Sequence, residues 1–236
     1  MRLHAILPEF ADRVRVRHLA FPLELRDHEP PPRDVPEQEW WLAALQEPRA
    51  RFPPFRGADF PTTTLSAFDA AKAAERQGEA VWRTYDLRIR QAFFAESADI
   101  SRADVLRGLA REVGLDLARF DEDLASGAPR AAVLADQRLG EKQYAVRGMP
   151  TLVLPDGTHA DLPLAAPRLA NRRVVGVQPL PCCGGGCLDA MRRLLEQAAT
   201  SAPLRRPRGV GEPPQHRGLA PWSGVGAVTR RTQTDR

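Results

Sequence analysis

In "YAVRGMPTLVLPDG" (Tyr144–Gly157) a proline stands immediately before the apolar run Thr151–Leu154. Proline has no N–H to donate to a β-ladder, so in sheets it is confined to edges, strand starts or bulges. The run is closed by Pro155-Asp156-Gly157, a turn signal. A short strand entered through Gly148-Met149-Pro150 is therefore predicted, and the rest of the chain must be arranged around it.

Upstream of this strand, residues 62–144 read as almost wholly helical. An alanine-rich segment ends at Gly78, a plausible C′ glycine. The next segment spaces Val81, Trp82, Tyr85, Ile89 and Phe93 near the 3.6-residue period. Ser101 with Asp104 three residues on has the form of a helix N-cap, Gly114 that of a stop, and Asp116 that of a further cap. Before this block, "RVRVRHL" alternates Val14, Val16 and His18 with Arg15, Arg17 and Leu19, the pattern of a half-buried strand. Residues 2–7 read as the end of a helix, and "EQEWWLAALQ" as a short helix opened by Pro36. After Leu154, "RRVVGV" reads as one more short strand and "CLDAMRRLLEQAA" as a closing helix, with an irregular segment containing Pro163 and Pro167 between the two strands.

At 43% apolar, the chain can bury one good core with an inserted subdomain. The net charge of +4 and the pI near 9.4 suggest an anionic partner, but their distribution argues otherwise. Residues 201–236 carry seven arginines against Glu212 and Asp235, so the other 200 residues are nearly neutral. Seven arginines scattered among prolines form no nucleic-acid footprint. That C-terminal stretch, rich in proline and glycine, reads as a disordered tail. No apolar run approaches the ~18 residues of a membrane span, and no signal peptide is recognisable. The expectation is a cytoplasmic protein with neither nucleic acid nor membrane as partner.

The order is thus α–β, a helical block, then β–β–α. It resembles a thioredoxin-type α/β scaffold with a helical subdomain inserted between its halves. The boundaries read as 1–61 for the N-terminal part, 62–144 for the insertion, 145–200 for the ββα part and 201–236 for the tail. The residues "FPL" (21–23), "FDAAKAAERQG" (68–78), "AFFAESADISRADVLRGLAREVGLDLARFDEDLASG" (92–127) and "YAVRGMPTLVL" (144–154) resemble the DsbA-like family. Within it they are most similar to the branch of FrnE and the 2-hydroxychromene-2-carboxylate isomerases. The resemblance implies thiol–disulfide oxidoreductase activity, with a cis Met149–Pro150 peptide presenting an extended substrate. It also implies that Trp82 and Tyr85 line a substrate groove, although an aromatic stripe of this kind is more often core. No cofactor is implied beyond glutathione as a co-substrate. The partner would be a protein or small molecule that exchanges thiols and disulfides.

The sequence departs from that family in one respect. Members carry a strand and a Cys-x-x-Cys at the start of the first helix, where the helix dipole stabilises a thiolate, and neither is found here. The expectation is therefore a truncated or degenerate member that holds substrate but lacks its N-terminal nucleophile. A glutathione-dependent isomerase and a non-catalytic peptide-binding module remain as alternatives. The three cysteines lie together in "PCCGGGCLDAM". Cys183 and Cys187 could form a redox pair, with Cys187 near a helix N-terminus. They could also pack as small apolar residues beside a glycine turn. A zinc site would need a fourth ligand, for which only His159 is near in sequence, and no metal is expected.

Overall fold

The computed structural model describes residues 2–28, 33–47, 49–160, 162, 165, 167–171, 173–179, 186–201 and 226–230. The chain begins with α1 (Arg2–Ile6), a 3-10 turn (Leu7–Phe10) and β1 (Val14–Arg17), then α2 (Leu23–Asp27) and α3 (Asp34–Gln46). The helical block follows as α4 (Leu65–Glu75), α5 (Glu79–Glu96), α6 (Ala103–Glu112), α7 (Leu117–Ala125) and α8 (Ala128–Lys142). Then come β2 (Leu152–Val153), β3 (His159–Ala160), β4 (Pro167–Ala170), β5 (Arg173–Val177), α9 (Gly186–Thr200) and β6 (Gly226–Arg230).

Local chemistry accounts for the breaks in the helical block. Gly114 and Gly127 take left-handed φ of 79° and 71° between helices, which glycine reaches without a Cβ penalty. Asp116 caps α7, its side chain accepting the Arg119 N–H at 3.1 Å. Ser101 does not cap α6 as its spacing predicts. Its hydroxyl donates to the Asp99 carboxylate at 2.5 Å, and Arg102 occupies the cap position without a side-chain bond. Asp99 competes for the hydroxyl because it also accepts the Ser101 N–H in a local turn.

Among the described residues the apolar side chains form three cores. The helical core joins Ala70, Ala73, Trp82, Tyr85, Ile89, Leu106 and Phe120 across α4–α7. The sheet core joins Ile6 and Phe10 with Val14, Val16, Leu152, Leu154, Met191 and Leu195, so the two ends of the chain share it. A smaller seam of Leu19, Phe21, Val146 and Val153 lies where the chain leaves β1 and enters β2. Gly140 of α8 permits that seam, because a Cβ there would stand 2.9 Å from the Phe21 ring.

Among the described residues the main sheet runs in the order β1-β6-β2-β3. β6 is antiparallel to β1 and parallel to β2, and β2 and β3 form a tight antiparallel pair. Two features differ from the sequence reading. Residues 226–230, read as part of a disordered tail, form this inner strand, because β1 and β2 expose a ladder that a short extended segment can fill. Pro167 opens β4 where an irregular segment is expected. It sits at a strand start, where no ladder N–H is required of it, and β4 pairs with β5 through a bulge at Arg168/Leu169.

The insertion is bound to the sheet by buried charge. Asp136 on α8 accepts the Ala20 backbone N–H at 3.0 Å and the Lys72 ammonium at 2.5 Å, and Arg17 lies 3.9 Å away. Lys72 also reaches Glu75 at 3.2 Å. Removing one partner of a buried pair leaves the other charge uncompensated, at a cost of about 3–5 kcal/mol. Asp136→Ala should therefore lower unfolding stability in urea by about that amount, and a loss under ~1 kcal/mol would show that the network is not what holds these elements together.

Candidate functional site

The entrance to β2 is held from both sides. Tyr144 and Val146 donate their N–H groups back to Leu139 and Gly140 carbonyls at 3.2 and 2.9 Å, extending the end of α8. Arg26 of α2 donates to the Arg147 carbonyl at 2.5 Å, and the Thr151 hydroxyl to the Gly148 carbonyl at 2.6 Å. Between these ties the Met149–Pro150 peptide is cis. Leu152, Val153 and Leu154 are buried, whereas Met149 is 40% exposed and Pro150 is also exposed. The result is a short ledge, apolar at Met149 and lacking an N–H at Pro150, on top of a buried strand.

The seam of Leu19, Phe21, Val146 and Val153 brings the exit of β1 against this ledge. His18 precedes Leu19, and its ring meets Trp82 edge-on, with centroids 5.1 Å apart. Burial holds the His18 imidazole at about 4, against the pull of Asp86, so the ring is neutral at pH 7. His4 of α1 is likewise lowered by burial. Burial raises Asp86, but Arg90, which donates to it at 2.9 and 3.0 Å, together with His18 and His4, outweighs this and keeps it a carboxylate. His18 thus packs on the Trp82 edge within the electrostatic reach of Asp86 and His4. The sequence shows no carboxylate partner for His18. Asp86, 68 residues away, acts on it electrostatically only because the chain folds back on itself.

The remaining sequence-predicted residues separate. Trp82 is 3% exposed and Tyr85 fully buried, with the Tyr85 hydroxyl donating to the Leu106 carbonyl at 2.9 Å. Burial pushes that phenol well above its ordinary range. Both residues face the helical core rather than an open groove, because the stripe that carries them is what α6 and α7 pack upon. Cys187, at the start of α9, is 6% exposed and disulfide-bonded. Cys182 and Cys183 lie outside the described residues. His159 is tied to the Tyr144 carbonyl at 2.6 Å through Nε2, and the described residues contain no cluster suited to a metal ion. Nor do they contain a helix long and apolar enough to cross a membrane.

A protein-family model described as thioredoxin matches residues 58–166, from the loop before α4 through the ledge and β3. The fold is accordingly a thioredoxin-like α/β domain with a helical insertion. Among solved structures the chain is similar to a candidate protein disulfide isomerase from Nitrosomonas europaea, at 20% identity and a TM-score of 0.42. That match covers 58% of this chain and 58% of the other.

The His18 environment has a measurable consequence. Its folded pKa lies below the unfolded value of ~6.5, so the unfolded state binds more protons between the two. Stability from this group is complete above about pH 6.5 and is lost as pH falls toward 4, by roughly 2–3 kcal/mol. Urea unfolding at pH 7 and 4.5 should show that loss in the wild type and a smaller one in His18→Gln. Equal losses in both proteins would remove His18 as the cause.

Proposed function

We propose that the chain is a DsbA-like thiol–disulfide oxidoreductase domain that holds an extended polypeptide at the Gly148–Met149–Pro150 ledge. The observation that supports it most directly is the ledge itself. An exposed methionine and a proline without a ladder N–H stand at the mouth of a buried strand, inside the region matched by the thioredoxin family. An extended segment laid along the ledge would bury the Met149 side chain, and methionine accommodates varied side chains well.

The thiol chemistry in this reading belongs to the Cys187 disulfide. A substrate thiolate attacks one sulfur of that bond, forming a mixed disulfide and releasing the other sulfur as a thiolate. A second substrate thiol then displaces the protein sulfur. The substrate leaves as a disulfide and the protein as a dithiol, two electrons and two protons having passed to it; the dithiol returns to the disulfide by reducing the disulfide of a second substrate to two thiols. Because Cys187 is nearly buried, turnover is expected to be slow. Glutathione would serve as the small-molecule thiol.

Insulin reduction by dithiothreitol, with peptide binding measured alongside, tests both halves. Met149→Glu should weaken binding of a reduced, extended peptide about tenfold, the equivalent of losing ~1.4 kcal/mol of apolar burial, without changing the melting temperature. Cys187→Ser should abolish the catalysed reduction. Unchanged reduction in Cys187→Ser with weakened binding in Met149→Glu would instead identify a non-catalytic binding module. Unchanged behaviour in both would overturn the proposal.

A further inference from the structure

We propose that the gap between β1 and β2 is a strand-acceptor site, filled in cis by this chain's own C-terminal strand. β1 and β2 send Val14, Val16 and Leu152 into one core with α1 and α9, yet they form no ladder with each other. Every backbone pairing between them passes through β6, which pairs with β1 from Val14↔Arg230 to Arg17↔Ala227 and with β2 at Leu152↔Gly226 and Val153↔Ala227. Among the described residues β1 has no other strand partner. With the gap empty, the inward backbone groups of both strands would lack partners beside a buried core, where each such group is costly. The gap thus selects for an extended segment, and it accepts one antiparallel to β1 and parallel to β2.

Two observations favour the chain's own terminus over a second copy. α9 ends at Thr200 with Ala198 and Ala199 already in the core that β1 and β2 line, so the helix itself ends against the sheet. The 24 residues between Ser201 and Gly226 can extend about 80 Å, far more than a return to the sheet needs, and loop-closure cost rises only slowly with length. The register has a further effect. Gly226 lies opposite Leu152, two residues beyond Pro150, so the occupant of the gap enters the sheet beside the ledge. This inference concerns pairing alone and stands whether or not the ledge supports thiol exchange.

The register predicts a specific crosslink. Arg15 and Thr229 are directly opposed, and Cα atoms of opposed antiparallel residues lie within the span a disulfide bridges. Mild oxidation of full-length Arg15→Cys/Thr229→Cys, followed by peptide mass spectrometry, should give a 15–229 crosslink in monomeric protein. Arg15→Cys/Ala227→Cys, two residues out of register, should not. In the unmodified full chain, amides 227–230 should exchange about 100-fold more slowly than in an unstructured peptide. A crosslink confined to dimers would assign the gap to a second copy and overturn the proposal. So would the absence of a 15–229 crosslink above the control, or exchange of amides 227–230 at unstructured rates.

Discussion

The Asp136 carboxylate is the interaction on which the arrangement of the two halves depends. It stands on the last helix of the insertion and accepts from the backbone of the segment leaving the first strand, while Lys72 on α4 neutralises it. A buried carboxylate tolerates few alternatives, because a shift of either half would leave a charge or a backbone N–H without a partner. Apolar packing alone would allow the helices to slide. The charge fixes where Leu19 and Phe21 lie, and through them where Val146 and the strand entrance lie.

Around that fixed point the molecule divides its apolar surface unevenly. The helical core is assembled from one continuous stretch of chain, residues 67–124. The sheet core is gathered from residues 6–16, 152–154 and 191–199, so it forms only when distant parts of the chain meet. The ledge at Met149–Pro150 sits at the seam between these two bodies. Binding sites often occur at such seams, where one side can present backbone while the other supplies a wall. Trp82 and Tyr85, suggested for that role by the aromatic stripe, are instead buried in the helical core.

The parts legible in the sequence were those with local causes. Helices α4–α8 follow from 3.6-residue spacing, left-handed glycines and the Asp116 cap. The strand entrance at Pro150 follows from proline's missing N–H. The Ser101 cap failed because Asp99, two residues earlier, offered its hydroxyl a stronger acceptor. The apolar stripe Trp82, Tyr85, Ile89, Phe93 marked a buried face correctly, but periodicity cannot distinguish a face that meets a ligand from one that meets another helix.

What the sequence determined by itself, then, is the type and rough extent of helices α4–α9, and the break at Met149–Pro150, because those follow from backbone chemistry within a few residues. Tertiary structure alone decided that Asp86 comes within electrostatic reach of His18, that Asp136 holds Ala20, and that residues 226–230 pass between β1 and β2. Each of these joins residues tens to hundreds of positions apart. Such pairings are chosen by which buried charges and backbone groups find partners once the chain has closed, a condition that no short window of sequence contains.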